Sequence, residues 1–455
     1  MPKMVWSNKM KRLFYILAVA LCLVGCSEGR ENILKVYNWA DYIDEELIAE
    51  FEEWYKEQTG ESVTIIYQTF DINETMLSKI ELGHEDYDVV CPSDYIIERM
   101  LKNDLLIPID KDFGKTPNYL GNISPYIVEK LTQIDGNGKN ANDYTVGYMW
   151  GTVGIIYNPK YVPEEEVKSW DVLCNPAYKG KLLMKDAYRD VYTSLLISLN
   201  RDAIASGEKD IRTITFDVSN ESIELVENYL NTFKNSVAGW EADFGKEQMT
   251  KELAWLNLSW SGDAQWAIDE AAEIGMDLCY SVPHSGSSVW FDGWVIPKYA
   301  KNIKAARYFI NFMCMPDNAI RNMDMTGYVS AVGGDEILEY MIDEQEYDPL
   351  DASYFFGEEA KAVCVNPVMY PSASIIENCG IMHDVGTEKL LRMWSRVKGD
   401  SASAWTYILI FLVFAALIAA VVIKYTKKRY RQQRYAKKRR KRQKEAEQKL
   451  RLLKK

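Results

Sequence analysis

From residue 33 onward, short apolar runs alternate with stretches in which apolar side chains return every three or four positions. The first pattern suits strands, and the second suits helices that bury one face. Leu34-Lys35-Val36-Tyr37 predicts a strand. Asp44 then suits a helix N-cap, Leu47, Ile48, Phe51, Trp54 and Tyr55 share one face, and Gly60 predicts the stop. A strand over 63–67, a helix from an Asn73 cap to Gly83, a strand over 87–91 and a helix from Ser93 through Leu101 follow. This βαβαβα order predicts a parallel sheet with helices on both faces. The alternation resumes with strands over 153–157, 182–184, 256–260 and 276–282 and a helix over 264–274. A helix over 302–313 follows a strand over 289–296. No internal repeat or low-complexity linker interrupts the series. About 370 residues of α/β pattern exceed a single core, so two lobes are predicted.

The two ends of the chain follow a different pattern. Lys9, Lys11 and Arg12 precede an apolar run over 13–24, which is too short to span a bilayer comfortably. It closes on Leu23-Val24-Gly25-Cys26, which looks like a bacterial lipobox. Residues 1–26 are thus expected to be a lipoprotein signal peptide, with Cys26 as the lipidation site; an ordinary signal peptide or an uncleaved anchor is the alternative. At the other end, residues 401–423 carry no charge, and a transmembrane helix is predicted over 404–423. Trp405 and Tyr407 mark one interface, and Lys424, Lys427, Lys428 and Arg429 mark the other. The positive-inside rule puts the basic tail, 424–455, in the cytoplasm and the body outside. Those basic residues are read as resting on anionic membrane lipid rather than on RNA.

Composition sharpens this picture. The chain has 455 residues, 47% hydrophobic and 26% charged, which are globular proportions. Its net charge of -13 divides into +4 over residues 1–26, +15 over 424–455 and -32 between them. So acidic a body is a poor partner for nucleic acid and a good one for cations. Of the eight cysteines, Cys22 and Cys26 lie in the leader, and no CxxC occurs. Cys91, Cys174, Cys279, Cys314, Cys364 and Cys379 are expected to be mostly buried thiols, with Cys364–Cys379 the pair in which export would permit a disulfide. No P-loop, HExxH, GxSxG or GxGxxG occurs, and the histidines number three, His84, His284 and His383. No enzyme, metal site or cofactor is predicted.

Ligands of open α/β sheets bind beyond the carboxyl ends of strands. There the chain repeatedly places a carboxylate within a few residues of Trp or Tyr. The five stretches are Asn38-Trp39-Ala40-Asp41-Tyr42, Pro92-Ser93-Asp94-Tyr95, Lys185-Asp186-Ala187-Tyr188-Arg189-Asp190, Trp260-Ser261-Gly262-Asp263 and Trp290-Phe291-Asp292-Gly293-Trp294. An aliphatic polyamine needs this mixture. Its ammonium groups must meet carboxylates once desolvated, and its methylenes need flat apolar walls that also offer cation–π attraction. Taken singly, Asp41, Ser93 and Asp263 sit where helix N-caps would, and Trp39, Trp260 and Trp290 could be packing residues.

Over about residues 33–398 the chain resembles the periplasmic polyamine-binding proteins of bacterial ABC transporters, the spermidine/putrescine-binding group within the family 1 extracellular solute-binding proteins. The stretches that carry the resemblance are Tyr37-Asn38-Trp39-Ala40-Asp41-Tyr42, Asn73-Glu74-Thr75-Met76, Tyr87-Asp88-Val89-Val90-Cys91-Pro92-Ser93, Tyr148-Met149-Trp150-Gly151-Thr152, Trp260-Ser261-Gly262-Asp263 and Trp290-Phe291-Asp292. The resemblance implies a two-lobed, hinged periplasmic-binding-protein fold of type II-like form, with residues 27–147 and 292–340 in one lobe and 148–291 and 341–398 in the other. It implies that Trp39 and Tyr42 form an aromatic wall beside Asp41, that Ser93 is a polar contact with Tyr95 next to it, and that Asp190 meets an amine. Trp260 and Asp263 match an aromatic–acid pair of the putrescine-type branch. Trp290 matches a central aromatic, Asp292 an acid facing an ammonium, and Tyr370 a late aromatic contact. Ala40 stands where a polar residue is common, and Asp94 adds an acid where the family is often neutral.

The expectation is a non-enzymatic, membrane-anchored component of an ABC importer at the outer face of the cytoplasmic membrane. It would capture putrescine or spermidine and deliver it to a permease served by a cytoplasmic ATPase. A rival is a sensor of the same ligand that signals through the single membrane helix. A third reading keeps the fold and changes the ligand to ferric ion, thiamine or a sugar.

Overall fold

Leu34, Val36, Val89 and Val90 are fully buried. Strands that are apolar on both faces must be covered on both. They belong to β1 (Ile33–Trp39) and β3 (Val89–Val90), which flank each other in parallel, with β2 (Thr64–Phe70) parallel on the other side of β1. The computed structural model describes residues 29–242, 244–399, 411–413 and 418. The chain divides into two compact units, Met1–Met393 and Trp394–Lys455, and the strands and acids below all belong to the first.

Local chemistry accounts for the helices. In α1 (Glu46–Thr59), Asp44 Oδ1 accepts from the Glu46 N–H at 3.0 Å, and Gly60 closes the end at φ 74, a conformation costly for residues with a Cβ. The predicted apolar face of α1 buries Phe51 against Phe309 and Phe312 of α6 (Ile303–Met313), with ring centroids 5.3 and 5.6 Å apart. Next come α2 (Asn73–Glu81) and α3 (Asp94–Lys102). Asn73 is not the cap of α2. Ile72 holds that position, and the Asn73 amide instead donates to Ser93 Oγ at 2.9 Å and to the Tyr95 hydroxyl at 3.2 Å. Asp41 caps nothing either; it is exposed in a left-handed turn at φ 50.

The remaining strands of the sheet are β4 (Thr145–Tyr157), β5 (Leu182–Lys185), β6 (Val237–Glu241), β7 (Leu256–Trp260) and β8 (Ser287–Pro297). The strand order is β2-β1-β3-β8-β4-β7-β5-β6. The parallel pairing expected from the first βαβαβα run is present in β2-β1-β3, while the sheet as a whole is mixed. β8 runs antiparallel to both β3 and β4, and β4 runs antiparallel to β7. The reason is the length of β4 and β8, buried along all 13 and 11 of their residues. Thr145 to Thr152 of β4 pair with β8, while Val153 to Tyr157 pair with β7, so one strand serves both halves of the sheet. Sequence reading found only the second part of β4. It also missed α4 (Tyr188–Leu199), α5 (Asn220–Phe233) and β6.

All six described cysteines are free thiols, Cys364 and Cys379 included; Cys379 is buried in a short strand paired with β8. Among the described residues no helix is long and apolar enough to cross a membrane. Cys26, the basic tail and all but four positions of the expected 404–423 span lie outside the described residues; those four, Phe411, Leu412, Val413 and Ile418, are exposed.

Where β4 passes beneath Trp290 the packing leaves no room for a side chain. A Cβ on Gly151 would stand 2.4 Å from Ser261 Oγ and 2.7 Å from Trp290 Cζ2. Gly151→Ala is expected to cost about 1–3 kcal/mol through overpacking, measured by urea denaturation of the full chain. An unchanged midpoint would contradict this tight crossing.

Candidate ligand-binding site

Three buried carboxylates, Asp94, Asp190 and Asp292, lie near enough to one another for their charges to interact. Asp292 lies within β8, at a register shift between Asp292 and Gly293. The fifth acid–aromatic stretch is thus an irregularity inside a strand rather than a strand end. Bulges of this kind re-aim a side chain. Here the irregularity brings Asp292 into a bridge with Ser93, while Gly293 N–H donates to the Pro92 carbonyl at 3.1 Å. Asp94 opens α3, and Asp190 sits in the first turn of α4. Their exposures are 5% for Asp292, 0% for Asp94 and 8% for Asp190.

Each acid has one oxygen committed or approached and one left over. Asp292 Oδ2 accepts from the Tyr42 hydroxyl at 2.9 Å, whereas Oδ1 has no partner among the described residues. Asp94 Oδ1 accepts from the Tyr95 N–H at 2.7 Å, and Oδ2 has none. Asp190 is approached by the Trp260 side chain, yet its Oδ1 has no partner. The indole N–H groups of Trp39 and Trp290 are also buried and unpartnered. Ionised carboxylates out of water and without a counter-ion are costly, so such groups hold their protons more tightly. Burial pushes Asp292 up to about 7, against hydrogen bonding from Ser93 and Tyr42, with the charge of Asp190 adding to the rise. Burial likewise pushes Asp190 up to about 6, and Asp94 well above the ordinary range.

Aromatic rings enclose these acids. Tyr42 meets Tyr328 edge-on at 5.2 Å, and Trp290 meets Tyr328 at 5.5 Å. Trp39 packs on Phe70 at 4.5 Å. Gly262 makes room for Tyr328, since a Cβ there would stand 2.2 Å from its ring. Tyr95 lies under the Arg189 guanidinium at 4.4 Å, and its hydroxyl meets Glu74 Oε1 at 3.4 Å.

The family described as bacterial extracellular solute-binding protein matches residues 46–333. The chain belongs to this family. It is 29% identical over 370 residues to the spermidine/putrescine-binding periplasmic protein of Escherichia coli, covering 81% of this chain and 92% of that protein. It is 28% identical over 324 residues to the putrescine-binding periplasmic protein PotF of the same organism, covering 68% and 80%. The structure of the spermidine/putrescine ABC transporter substrate-binding protein PotD from Streptococcus pneumoniae superposes with a TM-score of 0.60 at 28% identity, covering 81% of this chain and 98% of that one. The fold is that of the α/β periplasmic binding proteins, and the family is one of solute-binding proteins, not enzymes.

Within this solute-binding protein the sequence-derived residues divide into groups. Tyr42, Ser93, Asp94, Asp190, Trp260, Trp290 and Asp292 are brought together by the contacts above. Asp263 is buried near them but is already held: Lys185 Nζ lies 2.6 Å from its Oδ2, Lys246 Nζ 3.5 Å from its Oδ1, and the Tyr328 hydroxyl donates to Oδ1 at 2.8 Å. The charge of Lys185 holds the Asp263 carboxyl below the usual range despite its burial. Asp41 is exposed. Tyr370 is fully buried among Phe356, Phe355 and Trp150, with ring centroids at 4.9, 5.3 and 6.4 Å. Sequence reasoning missed Tyr328, which joins Tyr42, Trp290 and Asp263. Recognising the two-residue strand Val329–Ser330 just after it would have marked it. It also gave no role to Glu74, whose carboxylate takes the Tyr188 hydroxyl at 3.2 Å.

The raised acids make stability depend on pH. Between about pH 4 and pH 7 the folded protein keeps protons on Asp190 and Asp292 that the unfolded chain releases, so their contribution falls as pH rises. Ligand-free Asp292→Asn is therefore expected to match the wild type near pH 4 and to exceed its stability above pH 7. Urea denaturation across that range checks this, and a gap independent of pH would contradict it.

Proposed function

We propose that this solute-binding protein captures an aliphatic polyamine, putrescine or spermidine, and hands it to the permease of an ABC importer. The observation that carries this reading is the set of three buried carboxylates, Asp94, Asp190 and Asp292, each with an oxygen that nothing among the described residues satisfies. An ammonium donates three hydrogen bonds and carries the compensating charge, so it answers both deficits. The rings of Trp39, Tyr42, Trp260, Trp290 and Tyr328 supply the flat walls that methylenes need, and each can add about 0.5–2 kcal/mol of cation–π attraction. A single metal ion would use the acids but waste the walls. A sugar would leave the carboxylates uncompensated.

In the proposed cycle, residues 27–147 with 292–340 and residues 148–291 with 341–398 act as two lobes. They move about β4 and β8, the long strands that pass between the halves of the sheet. The acids are shut from solvent, as in a closed lobe arrangement. The relatives named as periplasmic proteins support a place outside the cytoplasmic membrane. Lipidation at Cys26 and a span over 404–423 would hold the protein at that membrane. Tethering raises the effective concentration near the permease and its ATPase.

Isothermal calorimetry on the full chain in detergent tests the ligand. Putrescine or spermidine should bind, and Asp292→Asn should weaken binding at least tenfold. Absence of heat with either amine, from folded protein, would overturn the reading.

A further inference from the structure

Two of the helices that carry the acids of the site are joined by a third segment, residues 383–387, which the ligand reading does not use. Asp94 opens α3, and Glu98 and Arg99 follow about one turn later. Asp190 stands beside Arg189 on α4. Arg99 Nε donates to Asp384 Oδ1 at 3.0 Å, and Arg189 Nη2 lies 3.7 Å from the same oxygen. Thr387 Oγ1 accepts from both guanidinium groups at 2.5 Å. Two cations from two helices thus converge on one carboxylate oxygen and one hydroxyl. Arg189 also donates to the carbonyls of His383 and Val385 at 2.9 and 3.2 Å. From α3, Glu98 Oε2 accepts from the Asp384 N–H at 2.9 Å and lies 3.1 Å from His383 Nδ1, while Lys102 donates to the Asp384 carbonyl at 3.1 Å.

We propose that residues 383–387 form a clasp that holds the site closed by fastening α3 to α4, and that its strength sets how fast the ligand leaves. This rests on the polyamine reading and on its two lobes, with α3 in one and α4 and residues 383–387 in the other. The bonds from Arg189 to His383, Val385 and Thr387 then stay within one lobe. Those of Glu98, Arg99 and Lys102 cross between lobes and are lost when the lobes part. Asp384 is the carboxylate that both arginines approach. The side chains of Arg99, Arg189 and Asp384 are 20%, 5% and 12% exposed, so solvent screens their charges weakly. Without the Asp384 charge, two guanidinium groups would face each other and drive α3 and α4 apart. The clasp is also wired to the acids through the helices themselves, since Arg189 adjoins Asp190 and Glu98 lies one turn from Asp94. Ligand and clasp therefore favour the same closed state, and each strengthens the other. Contacts made only on closure slow dissociation and leave the first encounter unchanged.

The test is stopped-flow tryptophan fluorescence on the full chain in detergent, with putrescine and with spermidine. Asp384→Asn should raise the dissociation rate at least tenfold and change the association rate less than threefold. Thr387→Val keeps the ion pairs and the shape of the side chain, and is expected to fold even if Asp384→Asn does not. It should raise the dissociation rate at least threefold. Adding Arg99→Met to Asp384→Asn should leave the dissociation rate within twofold of Asp384→Asn alone, because the two residues act as one contact. Dissociation changed less than twofold in folded Asp384→Asn or in Thr387→Val, a loss of affinity carried by the association rate, or additive effects of Arg99→Met and Asp384→Asn would each overturn the clasp while leaving polyamine binding intact. No binding of either amine by the wild type would overturn the polyamine reading itself.

Discussion

Carboxylates that have been removed from water and left with an unsatisfied oxygen constrain everything around them. Asp94, Asp190 and Asp292 come from three different elements, and each would be solvated if its surroundings opened. An effective penalty of several kcal/mol per unpaired buried ion is more than most single contacts return. The fold tolerates it because the acids can hold protons when no cation is present. That is why Asp292 and Asp190 titrate near 7 and 6 rather than near 4. A cationic ligand at these acids would exchange those protons for ammonium groups and so couple capture to proton release.

The sheet makes this arrangement possible. β4 and β8 are buried throughout and run antiparallel across the junction, so each contributes to both halves. The register shift at Asp292 turns one carboxylate toward Ser93 and Tyr42. Two small residues, Gly151 and Gly262, leave the space that Trp290 and Tyr328 fill. Charges nearby follow opposite rules according to their partners. Asp263 is as buried as Asp190, yet Lys185 drives its acidity the other way.

Much of this was legible in the chain because it depends on local order. The alternation of strands and helices, the stop at Gly60 and the pairing of acids with aromatic residues are all short-range signals. What stayed hidden depends on long-range pairing. Nothing near Asn73 says that its amide will reach Ser93 and Tyr95 instead of capping its own helix. Tyr328 gains meaning only once Tyr42, Trp290 and Asp263 surround it. Lys185 stood inside one of the acid–aromatic stretches, but its role depends on Glu241 at the end of a strand that sequence reading missed. The antiparallel crossing of β4 escaped for the same reason: a wholly apolar strand carries no alternation to reveal where it begins.

The most direct measurement is a crystal structure of the full chain with putrescine bound. The account predicts one ammonium on Asp292, the other on Asp190, and methylenes against the surrounding rings. Putrescine bound away from Asp190 and Asp292, with both carboxylates left without a cation, would contradict it.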